Sequence, residues 1–263
     1  MKYVAIGPAS MGIFAYIGFL KRIEAHLEHV EEYSGSSAGA ILASMLCLGK
    51  TVDEIFKISM DLHLDEFMQV NISSFLNEYG FVDMDPVRRK LQEVCGCDPT
   101  FAELEKTLYV SAYCLNTGRT EYFSKFNAPD MKVLDAVCMS MAIPLVFSSC
   151  KYNGHTYVDG GTHETIPVEP FLHKKPHQVL CIKLEEDDKY IENIGNHVHF
   201  IEALLRSSLR NRREHVTKNM RLAKVDVGDV NVFDFAMNHD TKLKLYLLGY
   251  DTPCFFCNDS IYG

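Results

Sequence analysis

The sequence predicts an α/β domain whose parallel strands present their ends at one edge of a sheet. Three observations carry this expectation. Lys2–Ile6 is a short apolar strand that runs through Gly7–Gly12 into a helix over Ile13–Leu27, with apolar residues at 13, 14, 17, 20 and 23. A second unit of the same kind follows: a strand turns sharply at Gly35-Ser36-Ser37-Ala38-Gly39 into an apolar helix ending near Gly49. No repeat, low-complexity tract or linker interrupts the chain, so residues 1–263 read as a single domain. Its motif-bearing core is 1–185, with C-terminal helices over 197–250 packing on it.

The remaining elements follow from local signals. Thr51-Val52-Asp53-Glu54 is a capping box that opens a helix. Residues 62–84 mix helix and loop, with a mobile look around Asn71–Gly80. Asp85-Pro86 opens a helix that ends at Cys95, before Gly96. Thr100–Glu103 is a second capping box. Leu108–Leu115 and Thr120–Ser124 form strands joined by Asn116-Thr117-Gly118. Val133–Met141 is a buried helix ended by Ile143-Pro144. Tyr152–Val158 is a hairpin leading into Asp159-Gly160-Gly161, and Gln178–Leu184 is a further buried strand. After an acidic loop at Glu185–Asp188, His197–Leu222 reads as a long helix with a basic face of Arg206, Arg210, Arg212, Arg213, Lys218 and Arg221. That face is either solvated or a dock for anionic headgroups. Val230–Phe235 is expected as a short strand and Thr241–Tyr250 as a terminal helix.

Composition narrows the function. A chain of 263 residues that is 47% hydrophobic can bury a sizeable core. A net charge of −9 argues against nucleic acid as a partner and against bulk attraction to an anionic bilayer. Nine cysteines in no framework spacing, six of them (47, 95, 114, 138, 150 and 181) in or beside apolar segments, indicate reduced thiols in a cytosol-like compartment. Cys254 and Cys257 form a single Cys-x-x-Cys with no second pair, and His197 and His199 read as helix surface, so no metal is expected. Gly7, Pro8, Ser10 and Gly12 interrupt the apolar N-terminal run, which therefore reads as strand, loop and helix rather than as a signal peptide. With no stretch long and clean enough to span a bilayer, the expected location is cytoplasmic or peripheral to a membrane.

Gly35–Gly39 fits Gly-x-Ser-x-Gly, a turn that holds a serine hydroxyl out where a strand meets a helix. The N–H groups and positive dipole end of that helix would face an anion formed there. The plainer reading is a small-residue turn opening a buried helix. Asp159 is the leading carboxylate to partner Ser37, since it follows an apolar strand and precedes Gly160 and Gly161, which let backbone pack close. Its plainer reading is an aspartate in a strand-end turn. In the usual α/β-hydrolase order the nucleophile follows several strands and a histidine comes late. Here the elbow arrives after about one strand, which argues against a Ser-His-Asp esterase.

Taken in order, these pieces resemble the patatin-like phospholipases along nearly the whole chain. The resemblance rests on the Gly7–Gly12 loop, Gly18–Glu24, Gly35–Ala40, Thr100–Leu104, the strand and turn at Leu108–Gly118, Ser140–Phe147, and Val158–Gly161 with Pro167 after it. It implies a three-layer α/β/α sandwich with a mostly parallel central sheet, and a Ser–Asp dyad without histidine. By that carry-over Ser37 is the nucleophile and Asp159 the general base, supported by Gly35, Gly39, Gly160 and Gly161. The resemblance also implies an oxyanion hole lined by Gly7, Ala9, Ser10 and Ala38. The substrate would be a phospholipid or another acylglycerol, met in transient contact with a membrane surface, with no cofactor and no calcium.

The chain departs from the family pattern at Pro8 and Ala9, where glycines are usual, at Met11, which replaces a basic residue, and at Thr165, where Asn is common. Proline has no N–H to offer an oxyanion. Two readings stay open at this point: a lipid acyl hydrolase, or a patatin-fold protein of impaired chemistry that binds lipid or a protein partner.

Overall fold

The computed structural model describes residues 1–62, 70–185, 194–195, 200, 203–204, 207 and 214–254. Its centre is a sheet in the order β10-β9-β1-β2-β4-β8-β7. The strands are β1 (Tyr3–Ile6), β2 (Glu32–Ser36), β4 (Thr107–Cys114), β7 (Cys150–Tyr152), β8 (His155–Asp159), β9 (Val179–Glu185) and β10 (Arg221–Asp226). A further strand, β5 (Arg119–Phe123), pairs antiparallel with β4. From β10 to β4 every pairing is parallel, and β8 and β7 add antiparallel strands at the far side. Central parallel strands are covered on both faces and so read as continuous apolar runs. Accordingly Val4, Ala5 and Ile6 of β1 and Val179–Ile182 of β9 are all buried.

Helices α1 (Ile13–Arg22), α3 (Ala38–Cys47) and α7 (Val133–Met141) lie on one face and contribute Phe14, Ile17, Leu20, Leu42, Ala136 and Val137 to the main core. Outside them pack α2 (Glu24–Leu27), α4 (Val52–Asp61), α5 (Ile72–Glu78), α6 (Met84–Cys95) and α8 (His239–Asp251). On the opposite face a smaller cluster joins Ala5, Val179 and Cys181 to Ile166, Val168, Phe171 and Met220. The result is the expected α/β arrangement, a mostly parallel central sheet flanked by helices. A separate two-stranded sheet pairs β3 (Gly80–Val82) with β6 (Leu145–Phe147) in parallel.

Several elements differ from expectation. The helix expected over Ile13–Leu27 breaks at Ile23, whose φ of −101° and ψ of 10° end α1 and start α2. The stretch 71–80 is ordered as α5: Asn71 caps it by accepting from the Ser73 and Ser74 N–H groups, and Tyr79 ends it in left-handed geometry at φ 66°. The cap of α6 is Asp83, which accepts from Asp85 N–H, so Asp85 and Pro86 fall inside the first turn. The Thr100 capping box opens only a short 3-10 turn, Phe101–Glu103.

The long helix does not reach Leu222. Arg221–Asp226 is β10, with buried Ala223 and Val225 alternating with exposed Lys224 and Asp226. That period of two outweighs the basic residues that suggested a helix face. Arg206, Arg210, Arg212 and Arg213 lie outside the described residues, as do His197, His199, Cys257 and the acidic loop beyond Glu185. Residues 230–235 are turns rather than a strand: the Asn231 and Asp234 carboxamide and carboxylate accept from Phe233 and Ala236 N–H, a local bonding that competes with strand pairing.

Candidate active site

The topology brings Ser37 and Asp159 together in a specific way. β4 pairs with β2 through residues 107–111, with β5 through 110–114 and with β8 through 112–114. A strand has two edges, and the overlaps put β5 alone on one of them. β2 and β8 therefore share the other edge, running toward each other. Ser36 at the end of β2 stands opposite Ser111, and Asp159 at the end of β8 stands opposite Ala112, the next residue along β4. The two strand ends meet head to head, about one residue step of 3.3 Å apart along β4.

Ser37 sits beyond β2 at φ 54° and ψ −126°, a backbone state that costs a non-glycine residue about 1–3 kcal/mol. The sequence around it explains how the turn is tolerated. A Cβ on Gly39 would lie 2.3 Å from the Ile6 carbonyl oxygen and 2.5 Å from that of Gly7, so only glycine lets α3 start this close to β1. Ser37 N–H donates to Ser140 Oγ at 2.8 Å, and Ser140 is fully buried on α7. Two residues on, the Ala142 carbonyl accepts from Asp159 N–H at 2.9 Å. One short segment at the end of α7 thus holds both strand ends. The segment Ser140–Phe147 belongs to the resemblance, which assigns Ser140 no role. Its signal was a serine placed among small residues of a buried helix.

Asp159 is buried, and its Oδ1 accepts from Gly161 N–H at 2.6 Å. A Cβ on Gly161 would lie 2.5 Å from Pro8 Cβ, so the Asp-Gly-Gly turn packs directly on the first loop. This contact accounts for Pro8, which fills the surface that Gly161 leaves open. His163 lies close to Asp159 in sequence, yet its ring stacks on Tyr113 at 3.4 Å and its Nδ1 meets Thr162 Oγ1 at 2.9 Å. Beyond it, buried Glu164 bonds the Tyr122 hydroxyl of β5, and burial raises the Glu164 carboxyl above its ordinary value.

The loop at residues 7–12 is only in part as expected. Gly7 N–H donates to the Ile182 carbonyl at 2.9 Å, which removes Gly7 from the oxyanion donors the resemblance implied. Met11 N–H donates to Val232 and Gly12 N–H to Ala9, so these are engaged as well. Ala9, Ser10 and Ala38 N–H have no partner among the described residues. Ser10 is held at φ 48°, and its buried Oγ also lacks a partner there.

Ser10, Ser37 and Ala38 line a cavity of about 100 Å³ whose other walls are largely apolar, with Phe14, Ile41, Met45, Leu91, Met141 and Phe147 among them. A serine at a strained elbow, a buried carboxylate beside it and a slot fit for a hydrocarbon chain are parts suited to acyl transfer.

The patatin-like phospholipase family model matches residues 9–172, and the chain belongs to that family of lipid hydrolases. It is 29% identical over 270 residues to protein R571 of Acanthamoeba polyphaga mimivirus, covering 94% of this chain and 90% of that one. It is 27% identical over 180 residues to the probable lipid hydrolase 463L of invertebrate iridescent virus 6, covering 63% and 61%. It is also 27% identical over 185 residues to a cGAMP-activated phospholipase of Escherichia coli strain TW11681, covering 64% and 51%. The chain thus spans nine-tenths of the mimivirus protein but only 61% and 51% of the other two. Among solved structures, VipD of Legionella pneumophila shares the fold, with a TM-score of 0.66, 15% identity, and 95% of this chain and 65% of that one covered. Among the described residues no helix is long and apolar enough to cross a membrane.

Proposed function

We propose that the chain is a lipid acyl hydrolase that works through a Ser37–Asp159 dyad and an acyl-enzyme. The observation that carries this reading is the head-to-head meeting of β2 and β8, which brings the strained Ser37 elbow, itself lining an apolar cavity, near the buried Asp159. The acyl chain of the substrate enters the cavity and its ester carbonyl stops at Ser37. Ser37 Oγ attacks the carbonyl carbon while its proton passes to Asp159. The oxyanion that develops is met by N–H groups from Ala9 or Ser10 on the first loop and from Ala38 at the N-terminus of α3, where the helix dipole also favours negative charge. Collapse expels the alcohol, which takes the proton from Asp159. Water, its proton taken by Asp159, then attacks the acyl-enzyme; the acyl–Oγ bond breaks, Ser37 Oγ takes the proton back from Asp159, and free fatty acid leaves.

The first loop supports chemistry rather than binding alone. Pro8 removes one N–H but seats the loop on Gly161, and the Ala9 and Ser10 donors stay unspent. The same reading includes contact with the bilayer that supplies the lipid, supported by the exposed apolar side chains of Val70, Ile72, Leu76 and Tyr79. They flank β3, whose partner β6 carries the cavity residue Phe147. It also includes one domain across the whole chain.

The test is hydrolysis of mixed phospholipid vesicles together with fluorophosphonate labelling. Wild type releases fatty acid and is labelled at Ser37. Ser37→Ala loses both, and Asp159→Asn abolishes turnover. Unchanged hydrolysis by Ser37→Ala would falsify the proposal.

A further inference from the structure

Away from the cavity, at the tip of the β5-β4-β8 layer, three side chains of different chemistry converge. Cys114 Sγ, a Glu121 carboxylate oxygen and a His155 ring nitrogen all lie within 4.8 Å of one another. The strand registers explain why. Cys114 is opposite Tyr157, and Ala112, two residues before Cys114, is opposite Glu121. His155 precedes Tyr157 by two residues. A period of two then puts all three side chains on one face of the sheet. Cys114 is fully buried, while Glu121 and His155 are half-buried, so the cluster opens outward on one side. Among the described residues no hydrogen bond occupies the His155 ring.

We propose that Cys114, Glu121 and His155 form a binding site for a divalent transition metal of the zinc class. A thiolate, an imidazole and a carboxylate are together too soft a set for calcium or magnesium, which take oxygen ligands, and are the donors zinc uses. Three protein ligands leave a fourth position for water. The outer support is in place: the Tyr157 hydroxyl donates to Glu121 Oε2 at 2.8 Å, the kind of contact that fixes a ligating carboxylate. On binding, the Cys114 thiol gives its proton to solvent as the sulfur–metal bond forms. The ion would tie β4, β5 and β8 together four residues before Asp159 on β8. The site is separate from the ester chemistry and stands or falls independently of it.

The experiment titrates Zn²⁺ and Co²⁺ into metal-free full-length protein, followed by calorimetry, absorption and thermal unfolding. Wild type should bind one equivalent of Zn²⁺, show a sulfur-to-cobalt charge-transfer band and melt at higher temperature with the ion. Cys114→Ser should lose the band and His155→Ala the stoichiometric binding, whereas Cys254→Ser, a cysteine outside the cluster, keeps both. His155 is half-buried at a hairpin start, so its variant reports even where loss of the buried thiol harms folding. Tyr157→Phe should weaken binding about 10- to 100-fold. Absence of binding at micromolar Zn²⁺, or undiminished binding in both Cys114→Ser and His155→Ala, overturns the proposal.

Discussion

Ser140 positions the site without being part of its chemistry. Its hydroxyl is the acceptor for the N–H of Ser37, a residue already held in a strained conformation. Replacing it with alanine leaves that N–H buried and unpaired, at a cost of about 1–3 kcal/mol. Ser140→Ala is therefore expected to lower the melting temperature and to reduce kcat with little change in KM, because the elbow and not the cavity is disturbed. Steady-state kinetics on a soluble ester checks this, and an unchanged kcat would remove Ser140 from the site. Ser37 and Asp159 were legible because each stands in a motif with small residues around it. The engagement of Gly7 N–H was not legible, since a glycine in a loop looks the same whether its N–H faces a ligand or a neighbouring strand.

Among the elements, the link between β5 and the turn after β8 carries a pH signature. Glu164 has its carboxyl raised from 4.5, by burial first of all, while its bond to Tyr122 pulls the other way. A raised value in the folded state means that stability from this group is fully present below the ordinary glutamate value and is lost as pH rises through the raised one. Wild type should therefore lose stability relative to Glu164→Gln as pH climbs from about 4.5, and denaturant unfolding across that range checks the sign. Elements with strong periodicity or matched caps were readable in advance: β4, β5, α7, β8 and α4. The end of α1 at Ile23 and strand β10 were not. In the first case a continuous apolar pattern hid a break in backbone geometry. In the second, Arg221 closes a run of basic residues whose helical reading, extended to Leu222, masks the alternation of Ala223, Val225 and Val227 that follows.

For the molecule as a whole, the proposed contact with a bilayer rests on an exposed apolar patch at residues 70–79. Val70, Ile72, Leu76 and Tyr79 are each at least 60% exposed within ten residues. Burying two such side chains in a bilayer is worth about 1.5–3 kcal/mol each, and every 1.4 kcal/mol is tenfold in affinity. The double variant Ile72→Asp/Leu76→Asp should lower vesicle hydrolysis by about tenfold or more relative to hydrolysis of a soluble short-chain ester. An unaltered ratio between the two substrates would detach this face from lipid access. The class of fold was legible from two strand–turn–helix units, but the shared edge of β4 was not, because no local pattern says which strands will end against each other.

The position of β1 between β2 and β9 has a consequence for how the chain is made. Its two neighbours come from distant parts of the sequence, Glu32–Ser36 and Val179–Glu185. At ribosomal speeds of about 5–20 residues per second, the strand that seals the second side of β1 emerges roughly 10–35 s after β1 itself. During that interval an apolar strand carries an unpaired edge, the kind of surface that recruits other chains. Synthesis rate and chaperone capture are thus expected to govern the yield of active protein more than the stability of the finished fold does.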